Sequence, residues 1–357
     1  MAATDVDWSM GSAAARLADW HTAIDLGRRV AGPGVGVSAV ERARMREDLS
    51  DLVPECERLI ADFTGLEIEG FRSRAWVMSR GEWIEANLRS MQRVLEPLAE
   101  RVLAGGRSRA EFRRKALGAQ IGGLLGYVSR KVLGQYDVFL PPDDEGLLYF
   151  VGPNLAEAER RFGLPPRDFR FWVAVHEVCH RVQFGATPWL SSHLAATVDH
   201  YLSTVSLDSG ELLRQLSRAV DEVRSGRTEA RGIGVFYLLL NDEQRELFHR
   251  TQGLMSLLEG HASYVMNRVA DGRVADLPRM RRALSHRRRS GRVERSFQKA
   301  VGFDSKIQQY DSGERFVAAV VDRVGMDGFN AVWREEANLP TGAEIADPDR
   351  WIARVGP

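Results

Sequence analysis

Phe169-Arg-Phe-Trp-Val-Ala-Val-His176-Glu177-Val-Cys179-His180-Arg-Val-Gln-Phe184 is the stretch on which the reading turns. It is dense in apolar residues and holds neither glycine nor proline, so it reads as a helix. Asp168, following Pro165-Pro166, is the expected N-cap. Residues 176–180 spell HExxH. Four helical residues advance about 400°, which places both imidazoles on one face, one turn apart. So placed, they can share one Zn²⁺ at roughly 2.0–2.1 Å. Glu177 then lies beside the ion, where it can take a proton from a bound water. The chain has 8 His in 357 residues, so chance would produce the motif in about one or two such chains per hundred. Buried imidazoles and a carboxylate without partners are costly, a second reason to read a metal here.

A catalytic zinc needs a third protein ligand and an open position. Arg181 to Pro188 lack the Gly and His of an extended metzincin pattern, so the third ligand must come from further along. The best candidate lies in Leu257-Leu-Glu259-Gly260-His261-Ala-Ser-Tyr264. On a helix, Glu259 shares a face with Met255, Ala262 and Met266, and a lone carboxylate on an apolar stripe calls for a partner. Gly260 weakens the helix by about 1 kcal/mol relative to Ala and points to close approach of another element. His261 is the rival ligand. It lies about 200° round the helix from Glu259, so the two do not easily serve one ion. Glu259 is preferred because His₂Glu is a recurrent hydrolytic set. Cys179 reads as a small buried residue, although as a fourth ligand it would close the site. Candidates for an oxyanion donor or supporting group are His261, His200, Tyr201 and Tyr310. Asp199 and Asp242 are candidates for orienting a ligand imidazole.

The remaining pattern is mostly helical. Helices are expected at about 12–30, from Ser38 to Val53 with Pro54 as an interruption, and at 82–104, 109–133, 155–162, 168–184, 188–206, 209–225, 242–270 and 304–324. Ser38 with Glu41 makes a capping box. Gly118, Gly122, Gly123 and Gly126 allow close packing. Tyr136–Leu140 and Leu147–Val151 read as a hairpin around Pro141–Gly146. The expected fold class is therefore mainly α (α+β), with a small β-hairpin or sheet preceding the HExxH helix. One domain spanning 1–357 is expected, with an N-terminal helical subdomain over 1–134 and a catalytic region over 135–357.

Composition excludes several classes. Lys+Arg and Asp+Glu balance at 49 each, so no whole-chain field favours nucleic acid or an anionic membrane. The Arg-rich run at 279–295 lacks interleaved aromatics and any recognition motif, and reads as a solvated face or a patch for an acidic substrate. No apolar run approaches the roughly 18 residues of a membrane span. The first twenty residues lack the apolar core of a signal peptide. Two cysteines, Cys56 and Cys179, make no disulfide framework, so a cytoplasmic setting is expected.

Three stretches together carry a resemblance: His176–Phe184 with Pro188-Trp-Leu190, Leu258–Met266, and Lys306-Ile-Gln-Gln-Tyr310 with Gly313 and Phe316-Val317. The chain resembles a zincin-like, gluzincin-type HExxH metallohydrolase family of actinobacteria, over about residues 15–355. Some members are labelled as associated with biosynthesis of the deazaflavin coenzyme factor 420. The resemblance implies one Zn²⁺ per chain held by His176, His180 and Glu259, with Glu177 as general base. It implies a peptide or small amide substrate. Ser263 stands where gluzincins often place an acid, four residues after the third ligand. The competing expectation is a non-catalytic zinc protein with a structural or partner-binding role.

Overall fold

The computed structural model describes residues 12–68, 73–104, 111–139, 146–204, 240–289 and 304–356. Contacts divide the chain into two units, 1–54 with 71–174, and 55–70 with 175–357. The fold is mainly α with one small sheet, as the periodicity predicts.

In the first unit, α1 (Ala13–Leu17) and α2 (Trp20–Ala31) replace the single expected helix. Asp19 causes the break: its carboxylate accepts from the Thr22 N–H at 3.0 Å and caps α2. The helix α3 (Ala39–Thr64) opens on the expected capping box. The Ser38 N–H donates to Glu41 (2.9 Å) and the Glu41 N–H donates to Ser38 Oγ (3.1 Å). Pro54 does not end it. Leu49, Leu52, Val53, Cys56 and Ile60 are all buried along this helix, and that burial offsets the roughly 3 kcal/mol a mid-helix proline costs.

The strand β1 (Arg74–Met78), missed by the alternation pattern, precedes α4 (Arg80–Ala104) and α5 (Glu111–Ser129). The strands β2 (Gly134–Tyr136) and β3 (Leu147–Val151) pair antiparallel, as expected of the hairpin, but β2 ends at Tyr136, where the expected strand begins, because Asp137 turns the chain by accepting from the Phe139 N–H at 3.0 Å. Its tip, 140–145, lies outside the described residues. Trp76 of β1 pairs with Tyr149 of β3 in a parallel ladder, giving the order β1-β3-β2. Gly118, Gly122 and Gly126 line α5 where α2 crosses it. A Cβ on each would come closer than 3.0 Å to the backbone of α2 or of its N-cap Asp19, a separation real Cβ atoms essentially never show.

Next come α6 (Gly152–Phe162) and α7 (Pro166–Gly185), the HExxH helix. Asp168 is not its N-cap; the helix begins at Pro166 and Asp168 lies in the first turn, where proline's preset φ suits a helix start. Buried Arg170 anchors this end. It donates twice to Glu159 (2.8 and 2.9 Å) and once to Asp48 (2.6 Å).

The second unit takes the C-terminal parts of α3 and α7, then α8 (Pro188–Thr204), α9 (Asp242–Ala270) and α10 (Leu277–Arg289). α11 (Asp304–Phe329) is broken at Gly325, whose φ of 74° only glycine adopts readily. Short helices α12 (Gly342–Ala346) and α13 (Pro348–Val355) follow. The expected helix at 209–225 lies outside the described residues, as does the end of the Arg-rich run. Among the described residues no helix is long and apolar enough to cross a membrane.

Candidate metal centre

The α7 helix presents His176 and His180 on one face, their ring centroids 4.8 Å apart and nearly perpendicular. Glu259 arrives from α9. That helix starts at a full capping box, in which the Gln244 N–H donates to Asn241 Oδ1 (2.8 Å) and the Asn241 N–H donates to Gln244 Oε1 (3.0 Å). Gly260, beside Glu259, faces Gly313 of α11. A Cβ on Gly260 would collide with the Gly313 backbone, and one on Gly313 with the Ser256 carbonyl oxygen. The close approach that Gly260 signals in the sequence is this glycine-to-glycine crossing.

Glu259 Oε2 lies 3.4 Å from His176 Nε2 and 3.7 Å from His180 Nε2. All three side chains are mostly buried. That buried oxygen makes no hydrogen bond, despite the two nearby nitrogens, and neither does His176 Nδ1. Ligand atoms about 2.0–2.2 Å from a tetrahedral zinc stand roughly 3.4 Å from one another. The ligand atoms of His176, His180 and Glu259 all lie within 4.8 Å of each other. Three potential ligand atoms therefore converge on one point. The donor set is that of a divalent cation such as zinc, and the residues fit it.

Electrostatics agree. Burial acts to raise the Glu259 carboxyl, but the two facing imidazoles hold it well below the usual carboxylate range. Burial acts to lower His180, but Glu259 outweighs it and raises the imidazole to about 9. That proton is bound below about pH 9 and must leave for Nε2 to accept a cation. Zinc uptake at pH 7 should therefore release about one proton, and apparent affinity should rise about tenfold per pH unit between pH 7 and 9. Calorimetry in two buffers of different ionisation enthalpy reads this directly. Zinc uptake at pH 7 with no proton released would contradict it.

Gln183, one turn beyond His180 on α7, is fully buried. Its Oε1 lies 2.9 Å from His180 Nδ1, and its Nε2 is 2.9 Å from both the Leu258 carbonyl oxygen and His261 Nδ1. Sequence reasoning missed this residue. The signal was present: Gln183 stands three residues after His180, so the two share a helix face.

His261 does not join the triad. It is fully buried, stacked on Phe329 with centroids 5.3 Å apart, and edge-on to Trp333 at 5.3 Å. Burial, with the His180 charge adding to it, lowers its pKa to about 3. Cys179 Sγ lies 3.6 Å from His261 Nδ1, and burial raises this thiol's pKa. His200 pairs with Glu243 at 3.0 Å, both more than half exposed, outside the triad. Asp199 and Asp242 are likewise outside it. The Tyr310 side chain lies outside the described residues. Glu177 is buried on the same helical turn as the ligands. A surface cavity of about 530 Å³, lined by Glu55, Arg58, Asp62, Leu66 and Val182 among others, includes none of the three ligands.

A family model described as zincin-like metallopeptidase matches residues 18–352. The crystal structure of a "putative hydrolase with a novel fold" from Chloroflexus aurantiacus is similar at 32% sequence identity and a TM-score of 0.71, covering 95% of this chain and 99% of that one. No curated protein matches the chain.

Proposed function

The chain belongs to the zincin-like metallopeptidase family, and from that premise we propose that it is a zinc-dependent hydrolase cleaving a peptide or related amide bond. The observation that carries this reading is the convergence of His176, His180 and Glu259 on one point, with the carboxylate oxygen between two imidazole nitrogens and hydrogen-bonded to neither. These three residues would hold the ion. When bound, zinc supplies Lewis acidity and brings the pKa of its water towards about 7. Glu177, adjacent to His176 on α7, accepts the proton of the attacking water and returns it to the leaving nitrogen. Two buried cysteines without a disulfide support a reducing, cytoplasmic setting.

A closed, purely structural site would need a fourth protein ligand. Among the described residues the group contains three, and Cys179 and His261 face each other instead. This favours the catalytic reading over the structural one.

Metal analysis tests the proposal. Purified protein loaded with zinc and desalted should retain about one ion per chain, and His176→Ala, His180→Ala and Glu259→Ala should each fall to near background. Full zinc retention by Glu259→Ala would remove the third ligand from the scheme.

A further inference from the structure

A backbone carbonyl oxygen can only accept a hydrogen bond. The Gln183 side-chain atom 2.9 Å from Leu258 O is therefore the amide NH₂ group. That assignment decides the rest. The remaining amide atom, Oε1, can only accept, and it lies 2.9 Å from His180 Nδ1. His180 Nδ1 must carry a hydrogen, and Nε2 is the nitrogen that faces Glu259 at 3.7 Å. The same NH₂ group lies 2.9 Å from His261 Nδ1. That nitrogen accepts, so neutral His261 carries its hydrogen on Nε2, which has no hydrogen-bond partner. Leu258 directly precedes Glu259 in α9. The carbonyl that orients Gln183 thus belongs to the turn of helix that delivers the third ligand.

We propose that Gln183 is a positioning residue: anchored on the Leu258 carbonyl, it holds His180 as the Nδ1–H form with Nε2 available to a divalent cation, and holds His261 as the Nε2–H form, outside the ligand set. Gln183 takes the place that a carboxylate occupies beside many zinc-bound histidines, and its neutral amide does so without adding charge to a buried site. His261 is its second client. A donor–acceptor side chain is needed because one neighbour must be given an acceptor and two must be given a donor.

This inference takes the identity of the ion from the zinc-hydrolase reading, but the hydrogens on His180 Nδ1 and His261 Nε2 do not depend on it. The test combines Gln183→Met, which removes both functions at similar volume, with Gln183→Glu, which keeps the acceptor. Each variant and the wild type, labelled with ¹⁵N-histidine, would be titrated with zinc alone and followed by long-range ¹H–¹⁵N correlation. In the wild type, His261 should read as Nε2–H with and without zinc, and zinc should enter His180 through Nε2. Gln183→Met should bind zinc about 10–100-fold more weakly. Gln183→Glu should recover most of that loss while His261 shifts away from the Nε2–H form. A wild-type His261 carrying Nδ1–H, or a folded Gln183→Met with wild-type zinc affinity, would overturn the proposal. If Gln183→Met fails to fold, the Gln183→Glu titration and the wild-type tautomers still decide it. If the wild type takes up no zinc, the zinc reading fails, and the His261 tautomer of the metal-free protein still judges Gln183.

Discussion

Replacing Glu177 by Gln should leave about one zinc per chain and lower hydrolysis by about 10²–10⁴-fold, the range a positioned general base supplies. In free energy this is roughly 3–5 kcal/mol of transition-state stabilisation. The substitution keeps side-chain shape at a buried position and removes the negative charge together with the capacity to accept a proton. Glu177 is not among the three converging ligands, so metal content should hold while the rate falls. Rates on a panel of peptide and acyl-amide substrates, measured beside zinc content, separate the two quantities. Loss of zinc with unchanged hydrolysis would refute the assigned role, and so would full activity in a zinc-loaded variant.

The second large effect is expected at the helix crossing. Gly313→Ala would drive a methyl group into the Ser256 carbonyl oxygen. That neighbour is helix backbone and cannot swing aside as a side chain would. A loss of about 3 kcal/mol, the upper end for overpacking, is expected. The damage should also be local to function, because Ser256 lies one turn before Glu259 and Gly260. Displacing α9 there withdraws the carboxylate from the two imidazoles, so zinc affinity should fall with the unfolding temperature. Gly123→Ala is the control. Gly123 sits inside α5 with nothing within 4 Å of an added Cβ, so alanine there should stabilise by roughly 0.5–1 kcal/mol. Thermal unfolding of both variants, with zinc titration of the first, reads the contrast. A Gly313→Ala protein as stable as the wild type would mean that α9 and α11 do not cross at this pair.

What could be read from the sequence was whatever follows from periodicity and local capping. The bounds of α9 match the expected 242–270, because a long apolar stripe of helical period marks them. His176 and His180 share a face because helix geometry alone demands it. Long-range packing was harder to read. β1 is five residues long and gains its partner from β3, some seventy residues on, so its own alternation says little. Pro54 looked like a terminator because its cost is local, whereas the burial that offsets it comes from the rest of the chain. Gln183 was passed over because a neutral amide attracts no attention as an acid or a ligand. Its role appears only when Leu258 and His261, residues of another helix, are seen around it.

The interleaving of the two units has a consequence for biosynthesis. Residues 55–70 belong with 175–357, and the Asn330 side-chain amide closes on the Thr64 carbonyl at 2.7 Å across a separation of 266 residues. Phe63 likewise packs against Tyr264, ring centroids 6.3 Å apart. A fragment starting at Val175 would carry both histidines and Glu259 yet lack residues 55–70. On the ribosome, the end of α3 must wait until synthesis has passed residue 330 before its last hydrogen-bonding partner exists, and closures over such separations form slowly. The nascent chain thus spends most of its translation with the ligand-bearing unit incomplete.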